Sequence, residues 1–187
     1  MRIGVLGGSF DPVHLGHLLA AQALQERLGL DEVRLIPAGR QPFKPEGHGA
    51  SADHRVAMLE LAVAGAPGLV ADRTEVDRPG PSYTVDTLRA LHARHPGDDL
   101  VLLVGSDAAR SLPAWHEAEA IPGLAQVVVF ARGGQAAPAG AEVVPQVEIS
   151  STAVRERVRT GRSLRYWVPD AVAGYIATHR LYRDGES

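Results

Sequence analysis

Two histidines near the start of the chain have the spacing of a phosphate-binding pair. His14 and His17 lie three residues apart in the segment GGSFDPVHLGH, residues 7–17, so on a helix they share one face. Glycines let backbone N–H groups come close to a ligand, and the start of a helix binds phosphate well. We therefore predict that both imidazoles donate to a phosphoryl group. The alternatives are a surface or capping pair and half of a zinc site. Two other phosphate-binding motifs, GxGxxG and GxxxxGK[ST], are absent.

Hydroxyl and cationic side chains gather in a second segment, ISSTAVR, at residues 149–155. Ser150, Ser151 and Thr152 supply hydroxyl and backbone N–H groups where a helix would begin. Arg155 lies one turn later, where its guanidinium can reach phosphate oxygens. On its own, the pattern is also typical of a serine N-cap followed by a surface arginine. Four more arginines follow by residue 165, and we interpret them as a solvated helix face because the net charge of the chain is −3.

Three further features suit a ligand with a planar ring and a carboxylate. Thr84 lies in PSYTVDTL, residues 81–88, where a helix start can meet a carboxylate. Asp107 follows the most apolar predicted strand and can accept hydrogen bonds from ribose hydroxyls. Trp115 can stack on a pyridine ring. The simpler interpretations are a helix cap, a turn aspartate and a core tryptophan.

These segments need a scaffold in which strands and helices alternate. Apolar runs predict strands at residues 3–6, 33–37, 69–76, 100–104, 127–131 and 143–149. Helical spacing and capping residues predict helices at 15–28 before Gly29, after Ser51, around 85–91, at 151–159 and around 172–179. Apolar strands without strict alternation indicate a sheet buried on both faces. We predict an α/β fold, a doubly wound (Rossmann-like) parallel sheet with helices on both faces, as a single domain over residues 1–187.

Composition narrows the class of protein. The 187 residues contain no cysteine, which excludes a disulfide framework and a thiolate zinc site. No run approaches the roughly 20 apolar residues of a membrane helix, and the N-terminus predicts a strand and not a signal peptide. We expect a cytoplasmic protein with no nucleic-acid or membrane partner, and we allow for a homo-oligomer.

The first two segments together resemble the HxGH nucleotidyltransferase superfamily, which is related to class I aminoacyl-tRNA synthetases. GGSFDPVHLGH resembles its HxGH signature and ISSTAVR its ISSTxxR signature, in family order near opposite ends of the chain. The resemblance implies that both segments bind ATP and that the histidines stabilise the transition state. The implied ATP contacts are Gly8, Ser9, Phe10, His14, His17, Gly105, Asp107, Ile149, Ser151, Thr152 and Arg155.

The other features resemble the bacterial nicotinate mononucleotide adenylyltransferases. That family has a PSYT-type segment, a GxD turn and a downstream tryptophan at similar spacing, and residues 166–182 are similar to its C-terminal stretch. The resemblance covers nearly the whole chain. It implies adenylyl transfer from ATP to nicotinate mononucleotide in NAD biosynthesis, with Mg²⁺ bound through the phosphates and no protein metal site. The implied acceptor contacts are Tyr83, Thr84, Trp115 and Arg132.

One departure from that family lies in the loop after the second predicted strand. Family members often have Pro-His-Lys or Pro-His-Arg there, and this chain has Pro42-Phe43-Lys44. Lys44 can still serve phosphate as a point charge, but the role of the histidine does not transfer to Phe43. The predicted catalytic residues are His14, His17, Lys44 and Arg155.

Several other functions stay open at this point. A phosphopantetheine adenylyltransferase would share both signatures, although the PSYT segment and Trp115 argue against it. Nicotinamide mononucleotide differs from the predicted acceptor by one carboxamide. The intact histidine pair disfavours a nucleotide sensor without turnover. The negative charge and the lack of a KMSKS-type lysine loop disfavour an RNA-binding fragment.

Overall fold

The structure is a computed structural model that describes residues 1–40, 48–132, 139–145 and 147–183, with Arg132 described by its backbone only. The strands in these ranges are β1 (Arg2–Gly8), β2 (Glu32–Pro37), β3 (Leu69–Ala71), β4 (Asp99–Gly105), β5 (Gln126–Arg132) and β6 (Glu142–Val144). The α-helices are α1 (Leu15–Leu28), α2 (Ala52–Val63), α3 (Thr84–Arg94), α4 (Ser106–Ala109), α5 (Ile121–Leu124), α6 (Ser151–Arg159) and α7 (Asp170–Thr178). None of these helices is both long enough and apolar enough to cross a bilayer.

The strands form one parallel sheet in the order β3-β2-β1-β4-β5-β6. The chain winds outward from β1 to β3 and then returns to place β4 on the other side of β1. The direction of winding therefore reverses between β1 and β4, which makes their carboxyl ends the topological switch point where such sheets bind ligands. The predicted doubly wound parallel sheet is confirmed.

Helices cover both faces of the sheet, as β4 makes clear. Leu100, Leu102 and Val104 join the core beneath α3 and α5, whereas Val101 and Leu103 join the core beneath α1, α2, α6 and α7. Successive strand residues point to opposite faces, so a strand with an apolar core on each side must be apolar throughout. This is the pattern from which the two-sided burial was predicted, and the prediction is confirmed.

Two helix ends lie where the capping residues predicted them. Gly29 follows α1 with φ of 59°, a left-handed conformation that glycine adopts without a Cβ clash. Ser51 precedes α2, and its side chain accepts a hydrogen bond from the backbone N–H of His54 at 3.3 Å.

Two strands are shorter than the apolar runs predicted. The strand predicted over residues 69–76 ends at Ala71, because the next side chain, Asp72, turns into ion pairs with Arg34 at 2.8 Å and Arg94 at 3.1 Å. Among the described residues, the strand predicted over 143–149 ends at Val144. Both lie at the edges of the sheet, where a strand has one neighbour to hydrogen-bond with instead of two.

Candidate active site

A cleft of about 560 Å³ opens at the switch point, along the carboxyl ends of β1 and β4. Five of the residues predicted to bind ATP line this cleft: Gly8, Ser9, Phe10, His17 and Gly105. From those predicted to bind the acceptor it is lined by Tyr83, Thr84 and Trp115. Residues from both predicted sets therefore share one continuous cleft.

The two histidines of the first signature stand in a stacked pair at the start of α1. Their ring centroids lie 3.7 Å apart with an interplanar angle of 23°. Nδ1 of His17 accepts a hydrogen bond from the backbone N–H of His14 at 3.2 Å, so the hydrogen of a neutral His17 ring is on Nε2. His14 is only 2% exposed, whereas His17 lines the cleft. The pair is asymmetric: His17 faces the cleft, and His14 is buried behind it.

Phe10 and two glycines shape the first signature around these rings. The Phe10 ring packs edge-on against His17 with centroids 4.9 Å apart, and Phe10 has a left-handed φ of 45°. A Cβ at Gly8 would lie 3.2 Å from the Phe10 ring, and one at Gly16 would lie 3.1 Å from the His14 ring. Larger residues at either glycine would have to displace an aromatic ring of the site.

The second signature packs directly against the first. The Ser151 hydroxyl donates to the carbonyl oxygen of Pro12 at 2.9 Å. The guanidinium of Arg155 donates to the carbonyl oxygen of Asp11 at 2.7 Å. Ser150 caps α6 through its side chain, so the predicted helix start is confirmed. Residues that are 139 or more positions apart in the chain therefore meet at the carbonyl groups of the loop between β1 and α1.

The remaining residues predicted to bind ATP lie beside the cleft and do not line it. The carbonyl oxygen of Ile149 would be 3.7 Å from a Cβ at Gly16. The Thr152 hydroxyl accepts from Arg155 at 3.3 Å. Asp107 lies in the first turn of α4, and its side chain is 80% exposed and 3.8 Å from that of Arg110.

Two predicted contacts have no described side chain. Lys44 lies in residues 41–47, outside the described ranges, together with the Pro42-Phe43 pair that departs from the family pattern. Arg132 is the last residue of β5, and its side chain lies outside the described part of the structure.

Aromatic side chains form the other end of the cleft. Tyr83 is the N-cap residue of α3, and its ring stacks on that of His116 with centroids 4.2 Å apart. Trp115 is half-buried at the edge of the core, and its indole N–H donates to the Ser111 hydroxyl at 3.1 Å. Thr84 begins α3 and lines the cleft with Tyr83, and the first backbone N–H groups of a helix have no partner within it.

Sequence reasoning missed Glu75, a buried carboxyl group of the same cleft. It is 8% exposed and accepts a hydrogen bond from the Thr87 hydroxyl at 2.8 Å. Burial raises the pKa of Glu75, against the opposing effect of the hydroxyl groups of Thr87 and Ser82. The interruption of an apolar run by a charge was the only signal, and it was interpreted as part of a strand.

Arg55 was missed as well, although it lies beneath the first signature. It is 1% exposed and donates to the carbonyl oxygens of Ser9 at 2.8 Å and Ala38 at 2.7 Å. These two carbonyl groups lie just beyond the ends of β1 and β2. Burial lowers the pKa of Arg55, and the negative charge of Asp11 partly offsets this effect. A charged residue on a helix face beside Val56 was the available signal.

The described residues include no group of three or more histidine, aspartate and glutamate side chains arranged to hold a metal ion. The imidazoles and backbone N–H groups of the first signature suit anions, and its carboxylate, that of Asp11, is buried and does not line the cleft. These donors fit a phosphate chain, and a divalent cation bound to that chain takes its ligands from phosphate oxygens and water.

Comparison with known proteins gives full-length matches. Residues 5–157 match the cytidylyltransferase-like family. A probable nicotinate-nucleotide adenylyltransferase of Thermus thermophilus is 50% identical, over 98% of this chain and 100% of its own length. A protein of the same description from a Roseiflexus species is 46% identical, over 97% of this chain and 98% of its own.

Solved structures share the fold at low sequence identity. The nicotinic acid mononucleotide adenylyltransferase of Plasmodium falciparum, solved in complex with NaAD, aligns with a TM-score of 0.79 at 18% identity, over 97% of each chain. A putative nicotinate-nucleotide adenylyltransferase from Vibrio parahaemolyticus aligns with a TM-score of 0.74 at 19% identity, over 98% of this chain and 96% of its own.

Proposed function

This chain belongs to the nicotinate-nucleotide adenylyltransferase family, within the cytidylyltransferase-like proteins, and from that membership we propose that it joins ATP to nicotinate mononucleotide. The products are nicotinate adenine dinucleotide and pyrophosphate, and the reaction serves NAD biosynthesis. The resemblance to the nicotinate mononucleotide adenylyltransferases, drawn from the PSYT segment, the GxD turn, Trp115 and the C-terminal stretch, is confirmed by this membership.

The observation that carries the proposal is the continuous cleft at the switch point. An enzyme that joins two mononucleotides must hold both at once, with their phosphates meeting between them. Here the helix start with His17 lies at one part of the cleft, and the rings of Tyr83 and Trp115 lie at another. The separation of phosphate-binding and ring-binding groups within one cleft supports a dinucleotide product.

The reaction needs no protein nucleophile. An oxygen of the acceptor's 5′-phosphate attacks the α-phosphorus of ATP and forms a new P–O bond. The bond between the α-phosphorus and the oxygen bridging to the β-phosphate breaks, and pyrophosphate leaves with that electron pair. The attacking phosphate is already ionised near neutral pH, so catalysis rests on positioning and on stabilising charge.

The protein residues then have the following roles. His17 donates from Nε2 to the α-phosphoryl oxygens as charge develops there, and His14 stacks behind it and fixes its ring. Arg155 and Lys44 hold the triphosphate. The N–H groups at the start of α3 bind the nicotinate carboxylate, and Trp115 stacks on the pyridine ring.

Several further expectations belong to this proposal. Mg²⁺ would be held by the nucleotide and not by protein side chains, and when bound it would supply positive charge that offsets the charge of the triphosphate and of the leaving pyrophosphate. The chain works as one nucleotidyltransferase domain in the cytoplasm, with ATP and nicotinate mononucleotide as its partners and no nucleic acid. A homo-oligomer stays a prediction, which analytical ultracentrifugation would test.

The test is pyrophosphate release with ATP and Mg²⁺ when three acceptors are offered separately. We expect nicotinate mononucleotide to be the preferred acceptor over nicotinamide mononucleotide. Release only with phosphopantetheine would keep the ATP site and overturn the roles of Thr84 and Trp115. No release with any of the three would refute the proposed function.

A further inference from the structure

Asp11 is a buried carboxylate at the centre of the first signature, and it contacts three separate parts of the chain. It is 2% exposed. One carboxylate oxygen accepts from the backbone N–H of Gly49 at 2.7 Å, and the other accepts from that of Ala50 at 3.1 Å. The guanidinium of Arg155, which binds the Asp11 carbonyl oxygen, also lies 3.9 Å from the carboxylate.

The third contact of Asp11 comes from the other end of the described chain. The Tyr182 hydroxyl donates to the Asp11 carboxylate at 2.8 Å. Burial, and then the negative charge of Asp11, raise the pKa of Tyr182 far above its ordinary value, so the hydroxyl keeps its proton and remains a donor. The ring also packs closely, because a Cβ at Gly49 would lie 3.1 Å from the Tyr182 ring and 3.2 Å from the Arg155 side chain.

We propose that Asp11 and Tyr182 are positioning residues for the ATP half of the active site. Their hydrogen bond ties the segment after α7 to the loop between β1 and α1, which is the loop that leads into His14 and His17. Neither side chain lines the cleft or reaches the reacting atoms. They act by fixing the Asp11 carbonyl group on which Arg155 rests, together with the approach to α2 at residues 49–50.

The position of the contact between Asp11 and Tyr182 explains why it should affect the binding of ATP and not that of the acceptor. Everything that Asp11 contacts lies on the face of the sheet covered by α1, α2, α6 and α7. Tyr83 and Trp115 pack against the core on the opposite face, beneath α3 and α5. Loosening the Asp11 contact therefore displaces groups proposed for the triphosphate and leaves the ring-binding end in place.

The chain offers a matched control in Tyr175. Like Tyr182, it is a partly buried tyrosine packed against the same core. Its hydroxyl also makes one side-chain hydrogen bond, with Nδ1 of His54 at 2.9 Å, between α7 and α2. The substitutions Tyr182→Phe and Tyr175→Phe each remove one hydroxyl and one hydrogen bond, but only the first removes a contact with the signature loop.

The experiment measures the affinity of both variants for a nonhydrolysable ATP analogue with Mg²⁺ by isothermal titration calorimetry. We expect Tyr182→Phe to weaken binding about three- to tenfold, a fraction of what a hydrogen bond to a charged group is worth, and Tyr175→Phe to leave it within about twofold. In steady-state kinetics the KM for ATP should rise in Tyr182→Phe, while the KM for nicotinate mononucleotide stays unchanged.

A second variant makes the inference specific to the pair. Asp11→Ala removes both carboxylate oxygens, and Tyr182→Phe should weaken ATP-analogue binding much less in that background than in the wild type. Equal effects of Tyr182→Phe in both backgrounds, or equal affinities of Tyr182→Phe and Tyr175→Phe, would overturn the inference.

The inference rests on the proposed function for its kinetic readout only. A wild-type protein that binds the ATP analogue but releases no pyrophosphate would refute the proposed function, and the binding comparison would still decide the role of Tyr182. A wild-type protein that turns over normally, with both phenylalanine variants alike in ATP affinity, would leave the function standing and refute the role of Tyr182.

Discussion

The most informative perturbation is His17→Ala, because the proposed mechanism gives this residue one specific donor role. Nδ1 of His17 accepts from the backbone N–H of His14, so Nε2 carries the hydrogen of the neutral ring, and the residue lines the cleft. Removing one preorganised donor from a developing charge lowers kcat by about 10²–10³, equivalent to about 2.7–4 kcal/mol of transition-state stabilisation. The lost capping contact at the start of α1 costs about 1 kcal/mol of folding free energy, or about 2–4 °C in Tm for a chain of this size.

The assay is pyrophosphate release at saturating ATP and nicotinate mononucleotide, with a melting curve for each variant. His92→Ala is the control, because it also removes one histidine hydrogen bond, the one to the carbonyl oxygen of Leu124 at 2.6 Å, and His92 does not line the cleft. We expect both variants to melt a few degrees lower and only His17→Ala to lose turnover. A folded His17→Ala protein within about threefold of wild-type kcat would refute the donor role, since that role requires a loss of at least about a hundredfold.

Three further predictions test other residues of the cleft and one buried beneath it. Trp115→Ala should raise the KM for nicotinate mononucleotide about tenfold or more through lost stacking and leave the KM for ATP unchanged; equal changes in both would exclude stacking. Arg55→Met leaves the carbonyl groups of Ser9 and Ala38 buried without a donor, so urea denaturation should show a loss of about 2–5 kcal/mol. Burial raises the pKa of Glu75 above its ordinary value of 4.5. The protonated carboxyl group therefore stabilises the folded state. This stabilisation is fully present below pH 4.5 and is lost as the pH rises through the raised pKa. Urea titrations across this range should therefore show that the unfolding free energy of Glu75→Gln increases relative to that of the wild type as the pH rises. A difference that stays constant with pH would contradict the effect of burial.

The fold was predictable because its signals are local and repeated. Every residue from Leu100 to Val104 is apolar, which is the pattern of a strand whose sheet is covered on both faces. The ends of α1 and α2 were predictable for the same kind of reason, since Gly29 and Ser51 each act on the backbone next to them. The edge strands β3 and β6 were overestimated, because apolar character alone does not reveal how many neighbours a strand has.

The site was predictable only where it coincides with a contiguous signature. His17 and Ser151 stand in segments whose residue types suggest chemistry on their own. Arg55 and Glu75 do not, because their partners lie in other elements of the chain. Those partners are the carbonyl groups after two strand ends for Arg55 and hydroxyl groups of the PSYT region for Glu75. A buried charged residue points to a site only when its burial is known, and the sequence alone does not show which charged side chains are buried.

The distance along the chain between Pro12 and Ser151 has a consequence for biosynthesis. The loop after β1 leaves the ribosome early, but the hydroxyl that holds the Pro12 carbonyl group is 139 residues away. At synthesis rates of about 5–20 residues per second, the loop waits about 7–30 s for that partner. The central strand β1 likewise waits for β4 before it has neighbours on both sides. A nascent chain would thus carry an unfinished loop between β1 and α1 until α6 emerges, and productive ATP binding would begin only after that.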